Sequence, residues 1–103
     1  MAFQRVAVTG GSGRLGRYVA RAIAATRDVT VLDRVPTPDG HRFAQVDIMD
    51  LAGLRRALEG HDAVVHLAGI DMDFDIAEDD TVRVNTLGTW HVLQAAETLG
   101  IRR

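Results

Sequence analysis

Thr9-Gly10-Gly11-Ser12-Gly13-Arg14-Leu15-Gly16 follows the apolar run Val6-Ala7-Val8 and leads into the Ala-rich stretch from Arg17 to Ala25. A strand, a glycine turn and a helix start therefore fall in one place. Backbone N–H groups at a helix start favour negative charge, so this turn is a seat for a pyrophosphate. Its glycines have separate tasks: one makes the tight turn, one lets the backbone approach the phosphates, and one lets the helix pack on the strand. The next apolar run, Val29-Thr30-Val31-Leu32, ends in Asp33. From Gly16 that is a little short of the roughly 20 residues expected for a carboxylate that binds a ribose 2′-hydroxyl. The turn lacks the Gly-Lys-Ser/Thr ending of a P-loop.

Working outward, alternating short strands and helices are expected. Strand one covers about 5–9, helix one about 15–25, strand two 29–33, and strand three about 43–46. Both prolines lie in the loop 34–40, a turn signal. Asp50 is placed to cap a helix through Leu51, Leu54 and Leu58, with Gly60 as its stop. Ala63 to Leu67 is a continuous apolar run that suits a strand buried on both faces. After the acidic loop 71–75, a last helix is expected over about 79–99, stopped by Gly100. Val82, Leu87, Val92, Ala95, Ala96 and Leu99 would line its buried side. Ile101-Arg102-Arg103 reads as the approach to a fifth strand. The expected class is α/β: a Rossmann-like, doubly wound parallel sheet, incomplete, with about four strands and flanking helices. Its unpaired edge would be exposed.

Composition narrows the function classes. With 103 residues, one small domain is expected. The net charge of −2, from 12 Arg against 14 Asp and Glu, is no footprint for nucleic acid. Cys is absent, which excludes disulfides and thiolate metal sites. No apolar run approaches the roughly 18 residues of a membrane span, and no signal peptide is legible, so a cytoplasmic address is expected. His41, His61 and His91 are scattered without metal spacing, and no metal site is expected. Lys is missing altogether, and the one tyrosine is Tyr18 in the first helix.

Four stretches in order resemble the extended short-chain dehydrogenase/reductases, also called NAD-dependent epimerase/dehydratases. Thr9 to Gly16 fits the T-G-x-x-G-x-x-G of that family, and Asp47-Ile48 follows strand three. His66-Leu67-Ala68-Gly69 ends strand four. Val84-Asn85-Thr86-Leu87-Gly88-Thr89, then Leu93-Gln94-Ala95-Ala96, matches its V-N-x-x-G-T…L-x-A-A helix. The resemblance implies that Gly10, Gly13 and Gly16 line a pyrophosphate with the N–H groups near Arg14 and Leu15. Asp33 would accept from the adenosine ribose, and Asp47 and Ile48 would flank the adenine. Leu67, Ala68 and Gly69 would pass the nicotinamide-side ribose, and Asn85 would support the site from behind. It also implies a dimer built from pairs of helices, with the 79–99 helix as one member. The family's catalytic part is a Ser or Thr with Tyr-x-x-x-Lys, and this chain cannot supply the Tyr and Lys. No catalytic residue is therefore assigned.

The implied activity is an NAD-dependent oxidoreductase or epimerase acting on a sugar or nucleotide-sugar hydroxyl, with this chain as its cofactor-binding part. Substrate would be met only in a full-length parent. A non-catalytic dinucleotide-binding module or redox sensor, or an inactive truncated fragment, is the alternative. Asp33 argues for NAD over NADP because a carboxylate repels a 2′-phosphate, while Arg14 and Arg34 pull the other way; NAD is favoured. His66, in an apolar run, reads as a packed core residue. The acids Asp71, Asp73, Asp75, Glu78, Asp79 and Asp80 read as a solvated loop leading into a helix start. Met72 and Phe74 could touch substrate or pin the loop, and Trp90 could be core or dimer surface. Asn85 and Gly88 are poor helix formers in a helix interior, the inconsistency that a functional helix tends to show.

Overall fold

The computed structural model describes residues 3–71 and 75–103. Four parallel strands form one sheet in the order β3-β2-β1-β4. They are β1 (Arg5–Thr9), β2 (Asp28–Asp33), β3 (Arg42–Gln45) and β4 (Ala63–His66). Val6 of β1 is in register with Val29 of β2 and with Ala63 of β4. The helices α1 (Arg14–Ala24) and α2 (Leu51–Leu58) make the crossovers.

Period-two alternation along the strands divides the core. Val6 and Val8 join Val29, Val31, Ala63 and Ala20 of α1 on one face. Ala7 and Leu32 join Leu54 and Leu58 of α2 with Val92 and Ala95 on the other. Helices thus cover both faces, as the doubly wound reading expects; β1 and β2 are largely buried, whereas β4, expected to be buried on both faces, is an edge strand with Ala63 buried and Val64, Val65 and His66 half-buried.

Two joints depart from the simplest pattern. Parallel strands usually need a crossover of a dozen or more residues, yet β2 reaches β3 through residues 34–41 with no helix. That loop is tied to α1 instead. Arg17 grips Asp39 with two bonds of 3.1 Å, and Arg21 stands 3.8 Å away. The Arg17 guanidinium holds the Asp39 carboxyl below the usual carboxylate range. At the far edge the Val64 amide donates to the Arg103 carbonyl at 2.9 Å, but residues 101–103 form no strand. The tail reaches that position through a left-handed Gly100 (φ 72°). Its amide bonds the Glu97 carbonyl while that of Ile101 bonds Ala96, the paired arrangement that closes a helix C-terminus.

The last helix is not continuous. α3 (Glu78–Arg83) passes into a π-helical turn, Val84–Gly88, and then into α4 (Thr89–Thr98). The wide turn shifts the face presented upstream of it. Val92 and Ala95 are buried and Leu99 packs against the core, but Val82 is 64% exposed and Leu87 39%, against expectation. Trp90 is also on the surface. Asp50 caps α2 as expected, accepting from the Gly53 amide at 3.0 Å. Met72, Asp73 and Phe74 lie outside the described residues, while Glu78, Asp79 and Asp80 form the first turn of α3, where acids suit the helix dipole.

Leu54 is fully buried between sheet and α4. Leu54→Ala should cost about 2–5 kcal/mol, whereas Val82→Ala should stay within about 0.5 kcal/mol. Urea unfolding of both variants checks the assignment of faces.

Candidate functional site

The glycine turn crosses the end of β4 with no room for side chains. Gly10 has φ 70°, and a Cβ there would lie 2.6 Å from the Ala68 nitrogen. Its amide donates to the Leu32 carbonyl at 2.8 Å, and its carbonyl accepts from Gly13 at 3.1 Å. A Cβ on Gly16 would collide with the Gly10 carbonyl oxygen, so α1 can start this close to the turn only with glycine. Gly11 is held too, since a Cβ would press on Val31 at 2.8 Å.

Gly13 is the N-cap of α1 and contributes no side chain, and the first helical turn holds no acid. The amides at the start of α1, around Arg14 and Leu15, are therefore neither capped by a side chain nor screened by a carboxylate, as an anion seat requires. Both residues are exposed.

Asp33 stands beside this turn. Its Oδ2 accepts from the Ser12 amide at 3.1 Å and its Oδ1 from Val35 at 3.3 Å, while Ser12 Oγ donates to the Val35 carbonyl at 2.8 Å. The carboxylate thus fastens the glycine turn to the loop after β2. The neighbouring Arg34 points toward Asp47, Nε to Oδ2 3.8 Å, with both side chains well exposed. Such a pair contributes little stability. Asp47 also accepts from the Met49 amide at 2.9 Å. Ile48 is a core residue, and its side chain occupies the space that a Cβ on Gly88 would need. At this position Asp47, rather than the Ile48 side chain, stands at the surface.

The run 67–70 is held from two sides. Leu67 and Ala68 amides donate to Thr9 Oγ1 at 3.1 and 3.2 Å. Asn85 in the π-helical turn clasps Ile70, accepting from its amide and donating to its carbonyl, both at 2.7 Å. The Asn85 amide also leaves no space for a side chain on Gly69. The expected residues accordingly fall into three groups: Gly10, Gly13, Arg14, Leu15, Gly16, Asp33 and Arg34 around the turn, Asp47 and Ile48 after β3, and Leu67, Ala68, Gly69 and Asn85 beyond β4.

His66 was read from sequence as packed core. It is instead half-buried in a polar chain: Nδ1 lies 2.6 Å from Thr9 Oγ1 and Nε2 2.9 Å from Thr89 Oγ1. Burial holds its pKa below the ordinary histidine value. Sequence reasoning missed Thr9 and Thr89. The signal was the parallel register, which sets Thr9 opposite His66. Among the described residues, no cluster of His, Cys, Asp or Glu could hold a metal ion, and no helix is long and apolar enough to cross a membrane.

Sheet order, glycine turn and two-sided helix cover define a Rossmann-type α/β domain. The chain belongs to the NAD dependent epimerase/dehydratase family, whose model matches residues 6–103. It is 39% identical to an L-arabinose 1-dehydrogenase (NAD(P)(+)) of Haloferax volcanii, covering 96% of this chain and 38% of that protein. Among solved structures it resembles uronate dehydrogenase from Agrobacterium tumefaciens (29% identity, TM-score 0.82, 97% of this chain and 38% of that one). It also resembles the Thermus thermophilus UDP-glucose 4-epimerase in complex with NAD (32% identity, TM-score 0.81, 96% and 35%). The chain spans well under half the length of these relatives.

Gly10→Ala combines a strained φ, worth about 1–3 kcal/mol, with contact against backbone that cannot rotate away. It should lower the thermal midpoint more than Gly40→Ala, where φ is equally positive but the Cβ meets nothing. Equal losses in parallel melts would contradict the crossing geometry.

Proposed function

We propose that this chain is the dinucleotide-binding part of an NAD-dependent oxidoreductase or epimerase acting on a hydroxyl of a sugar or nucleotide sugar. The observation that carries the reading is the open N-terminus of α1, seated behind Gly10, Gly13 and Gly16 with Asp33 at its side. In this reading the amides of Arg14 and Leu15 receive the pyrophosphate and Asp33 accepts from the adenosine ribose. Asp47 and the Ile48 backbone flank the adenine. Leu67, Ala68 and Gly69 border the nicotinamide-side ribose, while Asn85 keeps that run in place. The bound nicotinamide would supply hydride transfer; the residues here bind and orient it.

The family's Tyr-x-x-x-Lys proton-transfer pair is not formed by these residues. Lys is absent, and Tyr18, the sole tyrosine, is 69% exposed on α1 among arginines. That same observation favours the second reading, a dinucleotide-binding module without catalysis. NAD is preferred over NADP because the Asp33 carboxylate repels a 2′-phosphate and the guanidinium that could receive one, Arg34, is drawn toward Asp47. The proposal includes a cytoplasmic address, no nucleic-acid or membrane partner, and a homodimer. The exposed Val82, Trp90 and Leu93 on the last helical run support the dimer.

NAD should raise the thermal midpoint of the chain more than NADP at equal concentration. Asp33→Asn should weaken NAD about 10- to 100-fold, the weight of one charge-assisted hydrogen bond, with a smaller loss for NADP. The chain should reduce no NAD in the presence of sugars or uronates. No midpoint shift with either dinucleotide would contradict the binding reading, and NADH formation would contradict the assignment of a non-catalytic part.

A further inference from the structure

Thr9, His66, Thr89 and Asn85 form one hydrogen-bond chain running from the glycine turn to the π-helical turn. Its direction follows from counting donors and acceptors. Thr9 is fully buried, and its hydroxyl oxygen accepts from the Ala68 amide and shares the Leu67 amide with its own backbone carbonyl. Both of those partners are donors, so the acceptor for its one proton is the partner 2.6 Å away, His66 Nδ1. Nδ1 is therefore an acceptor and the proton of the neutral ring sits on Nε2. Nε2–H donates to Thr89 Oγ1 at 2.9 Å, and the Thr89 hydroxyl donates onward to the Asn85 carbonyl at 2.7 Å. The opposite direction would leave the Thr9 proton without an acceptor in a buried place.

The chain joins the two parts that hold the run 67–70. Thr9 is the residue before Gly10, and Asn85 clasps Ile70. Thr89 takes the Asn85 carbonyl where the π-helical turn closes. A ring with both nitrogens protonated cannot serve here: Nδ1–H and the Thr9 O–H would face each other as two donors.

We propose that His66 is a positioning residue whose neutral Nε2–H form staples the glycine turn to the π-helical turn, and that protonation of the ring loosens the site and releases dinucleotide in acid. The release rests on the dinucleotide reading above; the staple does not. Burial alone depresses the His66 pKa. The neighbouring elements carry Arg5 on β1, Asp71 after β4, and Arg83, His91 and Glu97 on the α3–α4 run, and none of them contributes to that shift. For a histidine held low, the native contribution is complete above the ordinary value of about 6.5 and is lost as pH falls below it. His61 shifts in the same direction, mainly by burial, but belongs to the turn before β4, at the other end of that strand from His66. It serves as the control.

The test uses two readouts on the protein. Nitrogen-15 spectra of the histidine rings at about pH 7.5 should show His66 protonated at Nε2 and bare at Nδ1. NAD affinity, titrated calorimetrically from about pH 7.5 to about pH 5.5, should fall by up to about tenfold per pH unit, the limit for one coupled proton. His66→Gln, which can bridge both hydroxyls but cannot titrate, should flatten that slope; Thr9→Ser and His61→Gln should keep it. A proton on Nδ1 in the neutral ring would overturn the staple, even if every variant failed to fold. A pH-independent affinity in the unmodified protein, or a slope that survives His66→Gln, would overturn the acid release. Absence of NAD binding at every pH would overturn the dinucleotide reading and the release with it, and the ring spectrum would still decide the staple.

Discussion

Two backbones cross where no Cβ fits. At Gly10 the chain passes over Leu67 and Ala68, and at Gly16 the first turn of α1 meets the Gly10 carbonyl. Interiors are close-packed and do not deform continuously, so these contacts fix where α1 begins. That start fixes where its uncapped amides stand, and the turn it leaves brings the Ser12 amide to Asp33. On the other side, the same crossing sets Thr9 against Leu67, Ala68 and His66, and through His66 against Thr89. The candidate site is the region around this crossing rather than a pocket added to a finished sheet.

Much of the fold was legible because two periodicities and a few punctuating residues carry it. The apolar runs Val6-Ala7-Val8 and 63–67 mark strands, the first buried on both faces and the second half-buried at the sheet edge, and Asp50 marks a helix start that the structure confirms. What was not legible depends on pairings across the sheet. A continuous 79–99 helix follows from local propensity, but Ile48 pressing on Gly88 and Thr89 bonding the Asn85 carbonyl are long-range and side-chain events. Both lie at the π-helical turn, and Val82 and Leu87 upstream of its end stand outside. Such turns are frequent at functional sites. The helix-free passage from β2 to β3 is likewise met by the Arg17–Asp39 pair, which unites residues 22 positions apart. Within the site, the glycines and Asp33 were legible from spacing. The role of His66 was not, because it needs the register that places Thr9 opposite it.

Charge is arranged with a bias around the turn. The start of α1 has no acid in its first turn, whereas α3 has three, Glu78, Asp79 and Asp80. A helix dipole left uncompensated at one end is a standing preference for an anion. Along α1, Arg17 and Arg21 are engaged by Asp39, which leaves the turn amides and Arg14 as the positive elements nearest the glycines. Among the described residues, Asp33 is the carboxylate bonded to the turn, and both its oxygens touch backbone amides. In the proposed reading this combination would receive a diphosphate and a ribose hydroxyl side by side.

The most direct measurement of this account is amide chemical-shift mapping of the protein during titration with NAD. The account predicts that the largest shifts fall on Gly10 to Gly16, on Asp33, and on Leu67 to Gly69, with the backbone of α2 unmoved. Shifts concentrated instead on the outer face of α1, around Arg17, Tyr18 and Arg21, or spread over the chain without a centre, would contradict it.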